Sequence, residues 1–191
     1  MRRAYLAGVF AVIAGAAVAA PLTGKDARNA LFKPGPVEIS VLDLPFLTAQ
    51  DKAVLEQIAQ AQKYYGAIAF APEDGLLSES LMGAFNYHDV REARAAAIRG
   101  CEAQRTSKNT CEVVAELRPK GWQNGRALSL SSDATQAFRD QYRRAKSPKA
   151  MAVSPSTGLF AVAIDAAAPD AAMAQCEALA QVGDCTIVLS D

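Results

Sequence analysis

Acid–base or nucleophilic chemistry in this chain would have to be built from a short supply: one histidine, His88, four cysteines, and scattered carboxylates and hydroxyls. A Ser-His-acid hydrolase needs a base within reach of its nucleophile, but His88 stands beside the expected start of a helix, where it reads as a capping or surface residue. No G-x-S-x-G elbow surrounds Ser78, Ser80, Ser129, Ser131 or Ser132, and serines in such clusters close turns. Glu73, Asp74 and Glu79 lie near one expected hairpin, and a glycosidase could use such a pair, yet Glu73 and Asp74 occupy a turn where acids are ordinary. With a single histidine and no D-x-D-x-D-G run, the sequence assigns no metal site. Gly121-Trp122-Gln123-Asn124-Gly125 lacks the Lys-Ser/Thr ending of a phosphate loop, so no cofactor or catalytic residue is assigned either.

The residues most suited to binding lie in the middle of the chain. Trp122, the only tryptophan, stands between Lys120 and Arg126; an indole flanked by cations can stack on a sugar while the cations hold phosphate or carboxylate. The alternative is that Trp122 packs beneath its loop as a core anchor. Residues 118–149 hold 8 basic and 2 acidic side chains, against 10 and 13 in residues 21–117 and 0 and 5 in residues 150–191. Those basic groups either meet the acidic segments internally or form an exposed face. Lys120, Trp122, Arg126, Arg143 and Arg144 are the candidate anion- or partner-binding residues, for an anionic envelope polymer or an acidic protein. A charge this balanced overall points to no nucleic acid.

Cysteine usage sets the compartment. An even number of cysteines in a small exported protein indicates disulfides, and four allow three pairings. Cys101 and Cys111 enclose an interval that Cys176 and Cys185 nearly repeat, each joining a helix end to the start of a strand, so the expected bridges are Cys101–Cys111 and Cys176–Cys185. Neither interval has the close C-x-x-C spacing of structural zinc. Export is expected from Met1-Arg2-Arg3, the apolar run Ala7 to Ala17 and the small residues Ala17-Val18-Ala19, which read as a signal peptide cut after Ala19. The apolar run is short for a permanent membrane span. The expected location is periplasmic or secreted.

The elements that must position these residues recur. Gly66-Ala67-Ile68-Ala69-Phe70-Ala71-Pro72-Glu73-Asp74-Gly75-Leu76 aligns with Lys149-Ala150-Met151-Ala152-Val153-Ser154-Pro155-Ser156-Thr157-Gly158-Leu159, and Cys101-Glu102-Ala103 with Cys176-Glu177-Ala178. Pro followed three residues later by Gly between apolar runs predicts a hairpin closed by a left-handed glycine. A helix follows in each copy, capped by His88 or Asp89 with Glu92 completing a box in the first, and begun by Pro169 in the second. Ala93, Ala96, Ala97 and Ile98, and then Ala171, Ala172, Leu179 and Val182, supply the expected inner faces. The eight extra residues of the first copy are placed in a longer second strand near Leu81 to Tyr87 and an added helical turn. Thr48 caps a helix to about Lys63, with Val54, Leu55, Ile58 and Ala61 inward, and Ser132 or Asp133 caps one to Lys146. Val37, Ile39 and Val41 alternate as a strand would, in an arm whose prolines rule out long helices and whose first dozen residues are expected to be loose.

The Gly66-Ala67-Ile68-Ala69 strand, Pro-x-x-Gly turn, alanine-rich helix and Cys-x-Val-Val strand resemble the domain-of-unknown-function family number four-one-eight-nine of exported bacterial proteins, in tandem copies. The hairpins depart from that pattern in lacking the aromatic residues expected there. The resemblance implies no activity and no site residue. The 5-aminolevulinate synthase name that small exported proteins of this look carry finds no support here, because no phosphate loop or Schiff-base lysine with a pyridinium partner can be picked out.

The expected fold is α+β, with two ββαβ units either sharing a sheet or packed face to face. The organisation read from sequence is a signal peptide over 1–19, an extended arm over 20–48, a helix and first unit over 49–118, a basic loop and linker helix over 119–148, and the second unit over 149–191. The leading functional expectation is a non-catalytic envelope binding module. The alternatives are a small secreted enzyme, which two carboxyls converging near His88 would favour, and a structural or stress-protective protein, in which every basic side chain would be paired internally.

Overall fold

The computed structural model describes residues 20–191, so the expected signal peptide lies outside the described residues. Helix α1 (Gly24–Ala30), strand β1 (Val37–Val41) and helix α2 (Ala49–Gln60) lead into the first unit, β2 (Gly66–Phe70), β3 (Met82–Ala84), α3 (Val90–Gln104) and β4 (Glu112–Pro119). Helix α4 (Ser132–Asp140) and a 3-10 turn at Tyr142–Arg144 lead into the second, β5 (Ala150–Val153), β6 (Phe160–Ala163), α5 (Ala168–Ala180) and β7 (Thr186–Ser190). The units do not share a sheet. One antiparallel sheet runs β1-β4-β2-β3 and the other β6-β5-β7.

Alternation along β2 and β5 decides which helix covers which face. Ala67, Ala69, Ala71 and Ala84 face Ala93, Ala97 and Cys101 of α3, while Ile68 and Phe70 face Leu55 and Ala59 of α2. In the second sheet Ala150, Ala152, Ala161 and Ala163 face Ala168, Ala172, Cys176 and Ala180 of α5, and Met151, Val153 and Leu189 face Ala134, Phe138 and Tyr142. Each sheet is thus enclosed between a helix carried on small side chains and one carried on large ones. The two registers even shift at corresponding places, between Ile68 and Ala69 and between Met151 and Ala152. The helix cap Ser131 follows the cap Thr48 by the same interval that separates Ala150 from Ala67, so α2 and α4 hold equivalent places.

Both bridges join the expected cysteines, Cys101 with Cys111 and Cys176 with Cys185, with Cα atoms 6.0 and 6.1 Å apart. Each closes the loop between helix and final strand at the end of the sheet where the hairpin turns. Gly75 and Gly158 adopt φ of +83° and +76° there, the left-handed turn glycines expected from Pro-x-x-Gly. A carboxylate ties turn to loop in both units. Asp74 accepts from the Thr106 and Ser107 amides at 2.9 and 2.8 Å, whereas Asp184 reaches from the loop to Ser154 Oγ and the Ser156 amide.

Several local expectations are corrected. The start of the arm is ordered: Leu22 bridges Leu189, and α1, capped by Thr23, buries Ala27 against the second sheet. Strand β3 is short, and the first unit's eight extra residues divide equally: four widen the hairpin turn, where Ser78 bonds the Gly75 carbonyl and Ser80 holds the Ala71 amide, and four lie between β3 and Cys101, where α3 has the added turn expected. Ala61, the C-cap of α2, is exposed; so is Leu179, because the inward stripe of α5 runs through every fourth residue from Ala168 instead, and so is Val182, which lies beyond the end of α5. Ser131, not Ser132 or Asp133, caps α4, which ends at Asp140. Asp89 caps α3 by accepting from the Arg91 amide, and Glu92 pairs with Arg91 rather than completing a box.

Two outcomes follow from this packing. Ala97 is buried against sheet alanines, so Ala97→Leu should cost about 1–3 kcal/mol of unfolding free energy through overpacking, read by urea denaturation. Replacing Cys176 and Cys185 together by alanine removes a staple closing a loop of about ten residues and should cost somewhat under ~3 kcal/mol, while the same pair left oxidised should appear as a single intra-unit bridge in non-reducing peptide maps.

Candidate functional site

The units meet head to tail. The end of the first unit opposite its disulfide, with Tyr64, Tyr65, Asn86 and His88, touches the second unit's hairpin turn and the start of α4. The Ser132 amide donates to the Tyr64 carbonyl at 3.1 Å, and Asp133 accepts from Lys63 Nζ at 2.7 Å and from Asn86 Nδ2 at 3.1 Å. Gly158 is needed for this approach: a Cβ there would lie 2.7 Å from the Asn86 carbonyl oxygen. His88 is the buried latch. Its Nδ1 accepts from the Ser131 amide at 3.1 Å, which leaves Nε2 to donate to the Leu159 carbonyl at 3.1 Å, so these partners select the neutral tautomer. The residue is neither cap nor surface group, and both ring nitrogens are committed to backbone. Burial pushes its pKa down to about 4, with the Leu159 carbonyl and Asp184 pulling weakly the other way.

Beside this junction, a cavity of about 350 Å³ opens between the start of α3 and the loop that follows β4. Tyr65, from the residue before β2, forms its inner wall and is 1% exposed. Its hydroxyl makes no hydrogen bond of full geometry among the described residues, although Ser129 and Trp122 approach closely enough to favour the ionised form weakly. Burial raises the phenol's pKa, so it stays protonated and available as a donor. An unpaired buried hydroxyl costs about 1–3 kcal/mol, which marks the group as one held for a partner or left as a penalty. The rim carries Asp89, Arg91, Trp122, Gln123, Asn124 and Arg126.

Trp122 is partly buried, and its orientation is set by a chain of charges. Glu116, 6% exposed at its side chain, pairs with Arg94 and with Arg118 at 2.6 Å, and the Arg118 guanidinium lies 4.2 Å over the indole. Arg126 is also committed: it donates to the Ala30 carbonyl at 3.1 Å and lies 3.8 Å over Phe32, fastening the arm to the loop. Lys120 is exposed and, with Arg126, lines a neighbouring hollow of about 400 Å³ against Leu31 and Phe32.

Arg143 and Arg144 line other hollows. With Arg139 and Asp140 they border one of about 400 Å³, and Arg143 also borders another of about 250 Å³ with Lys25, Arg28, Tyr142, Lys149 and Asp191. Of these cations, Arg144 reaches Asp140 at 3.4 Å and Lys149 approaches Asp191 at 3.8 Å, while Lys25, Arg28, Arg139 and Arg143 make no ion pair among the described residues. The candidate residues therefore divide between two places: Lys120, Trp122 and Arg126 around the loop after β4, and Arg143 and Arg144 on the turn after α4, of which Arg143 also borders the hollow that α1 lines. Tyr65, Asp89 and Ser129 were not singled out as site residues by sequence. A tyrosine opening a buried strand reads as core, and only the fold shows that its hydroxyl lacks a partner.

The His88 latch has a pH signature. The unfolded chain takes up the proton near 6.5 and the folded chain near 4, so the latch's contribution is complete above pH 6.5 and is lost as pH falls towards 4. The whole loss amounts to about 3 kcal/mol, of which about 2 kcal/mol falls between pH 7 and pH 5. Urea midpoints across that interval should drop for the native protein and stay level for His88→Phe; equal slopes in both would contradict the assignment.

Among the described residues no group of three or more histidine, cysteine, aspartate or glutamate side chains converges as a metal site, and no helix is long and apolar enough to cross a membrane. No family model, curated protein or solved structure matches the chain.

Proposed function

We propose that this chain is an exported, non-catalytic binding module of the bacterial envelope, built from two copies of one disulfide-stapled module, and that its second copy presents a cationic face to an anionic envelope polymer. Arg143 carries the reading. It is exposed, belongs to two adjoining hollows, and stands among Lys25, Arg28 and Arg139, none of which has an acidic partner among the described residues. A protein whose surface served only structure or stress protection would pair these cations internally, as it pairs Arg94, Arg105 and Arg118 with Glu116 and Glu102. The two bridges fit an oxidising compartment, as export by the Arg2-Arg3 leader requires. An anionic chain with regularly spaced phosphates or carboxylates fits a face whose charges lie side by side. An acidic protein segment is the second occupant that the same charges would accept.

The reading makes a definite statement about salt and position. Retention on immobilised dextran sulfate should fall with rising ionic strength, and Arg143→Glu should elute at clearly lower salt than Lys108→Glu, which makes the same charge change at an exposed residue elsewhere. Equal elution of the two variants would show that only net charge matters and would end the proposal.

A further inference from the structure

We propose that the cavity between the start of α3 and the loop after β4 is a binding site for a neutral pyranose saccharide. It shares no residue with the arginine face, so either proposal can fail alone.

The observation that points to a ligand is the Tyr65 hydroxyl. It is buried, belongs to a residue that lines the cavity, stays protonated, and makes no hydrogen bond of full geometry among the described residues, the polar groups nearest it being Ser129 and Trp122 of the same cavity. A buried donor is almost always satisfied in a native protein, and this one belongs to a residue that lines a hollow of about 350 Å³, where a guest can supply the missing acceptor. The lining then selects the class. An anion is disfavoured at the α3 N-terminus because the Asp89 carboxylate already holds the Arg91 amide and supplies negative charge there. The cations are spent elsewhere: Arg91 pairs with Glu92, and Arg126 donates to the Ala30 carbonyl and stacks on Phe32. What remains to face a ligand is a phenol donor, the Ser129 hydroxyl, the Gln123 amide, the Asn124 Nδ2 group (its Oδ1 accepts from the Gly125 amide at 2.8 Å), one carboxylate and an indole.

That set matches a sugar ring, which offers hydroxyls that both donate and accept and a face of C–H groups for the indole. An apolar ligand would leave the amides and the phenol unpaired and is rejected on the same ground. Trp122 is pre-positioned for stacking because Arg118, held by buried Glu116, supports its ring, which removes an ordering cost on binding.

Trp122 is the only tryptophan, so its fluorescence reports this cavity alone. The experiment titrates the full mature chain with chitotriose, cellotriose and maltotriose, and separately with inorganic phosphate, following the emission of Trp122. Saturable change with at least one trisaccharide is expected. Tyr65→Phe, which keeps the ring and removes the hydroxyl, should weaken that binding about tenfold, the loss of one hydrogen bond to a ligand, while unfolding at an unchanged or higher urea concentration. Asn124→Ala, on the exposed loop, provides a second reading that cannot be confused with misfolding and should also weaken it. No response to any of the three sugars at millimolar concentration, a response to phosphate alone, or equal affinity in native protein and both variants would each overturn the assignment.

Discussion

The structure depends on how closely a helix can approach a sheet when both present alanine. In each unit the contact is made by methyl groups on both sides, Ala67, Ala69 and Ala84 against Ala93 and Ala97, and Ala150, Ala152 and Ala161 against Ala168 and Ala172. Such a contact leaves little area to bury per residue, so it relies on near approach and on being fixed in register. The first cysteine of each pair lies on the same helical stripe, at Cys101 and Cys176, and bridges to the strand that completes the sheet. The staple therefore fixes the sliding coordinate that an alanine interface specifies poorly. The carboxylates Asp74 and Asp184 add a second tie at that end, with donor and acceptor exchanged between turn and loop.

Closing one end of each unit determines what the other end can do. At the open end, the start of the central strand, the end of its hairpin partner, the start of the helix and the exit of the last strand come together. In the first unit this end carries Tyr65, Asp89 and the Trp122 loop; in the second it carries Lys149, Asp191 and, brought in by α1 and the 3-10 turn, Lys25 and Arg143. Both candidate surfaces thus lie at the same end of their sheets relative to the disulfide, yet with different chemistry. Head-to-tail contact uses the remaining part of the first open end, where His88 is enclosed between two backbone groups and cannot be shared with a substrate.

What could be read from sequence was what depends on short-range geometry. The cysteine pairing, the left-handed glycines of the two turns and the alternation of Val37, Ile39 and Val41 each rest on a few neighbouring residues, and each is present. Where the reading failed, a distant partner decided. Leu179 looks like part of a buried face until the sheet beneath α5 is seen to present alanines that admit the Ala168, Ala172, Cys176, Ala180 stripe instead. His88 looks like a cap because nothing nearby in sequence shows that the Leu159 carbonyl and the Ser131 amide will enclose it. Tyr65 escaped for the opposite reason: a missing hydrogen bond has no sequence signature at all.

The cationic face has the same origin as the misreadings, since no local segment contains it. Lys25 and Arg28 arrive on α1, Arg139 on α4, and Arg143 on the turn that follows; folding puts them next to one another with Asp140 and Asp191 as the only acids in the lining, and both of those already serve neighbouring groups. Like charges gathered by folding oppose it, the more so at low ionic strength. Lys149 is tied in by its backbone pairing with Asp191, by Nζ donation to the Ala145 carbonyl at 3.0 Å and by its ion pair with Asp191 at 3.8 Å. Lys25, Arg28, Arg139 and Arg143 have no acidic partner among the described residues, so the repulsion among them is left to solvent and salt to screen.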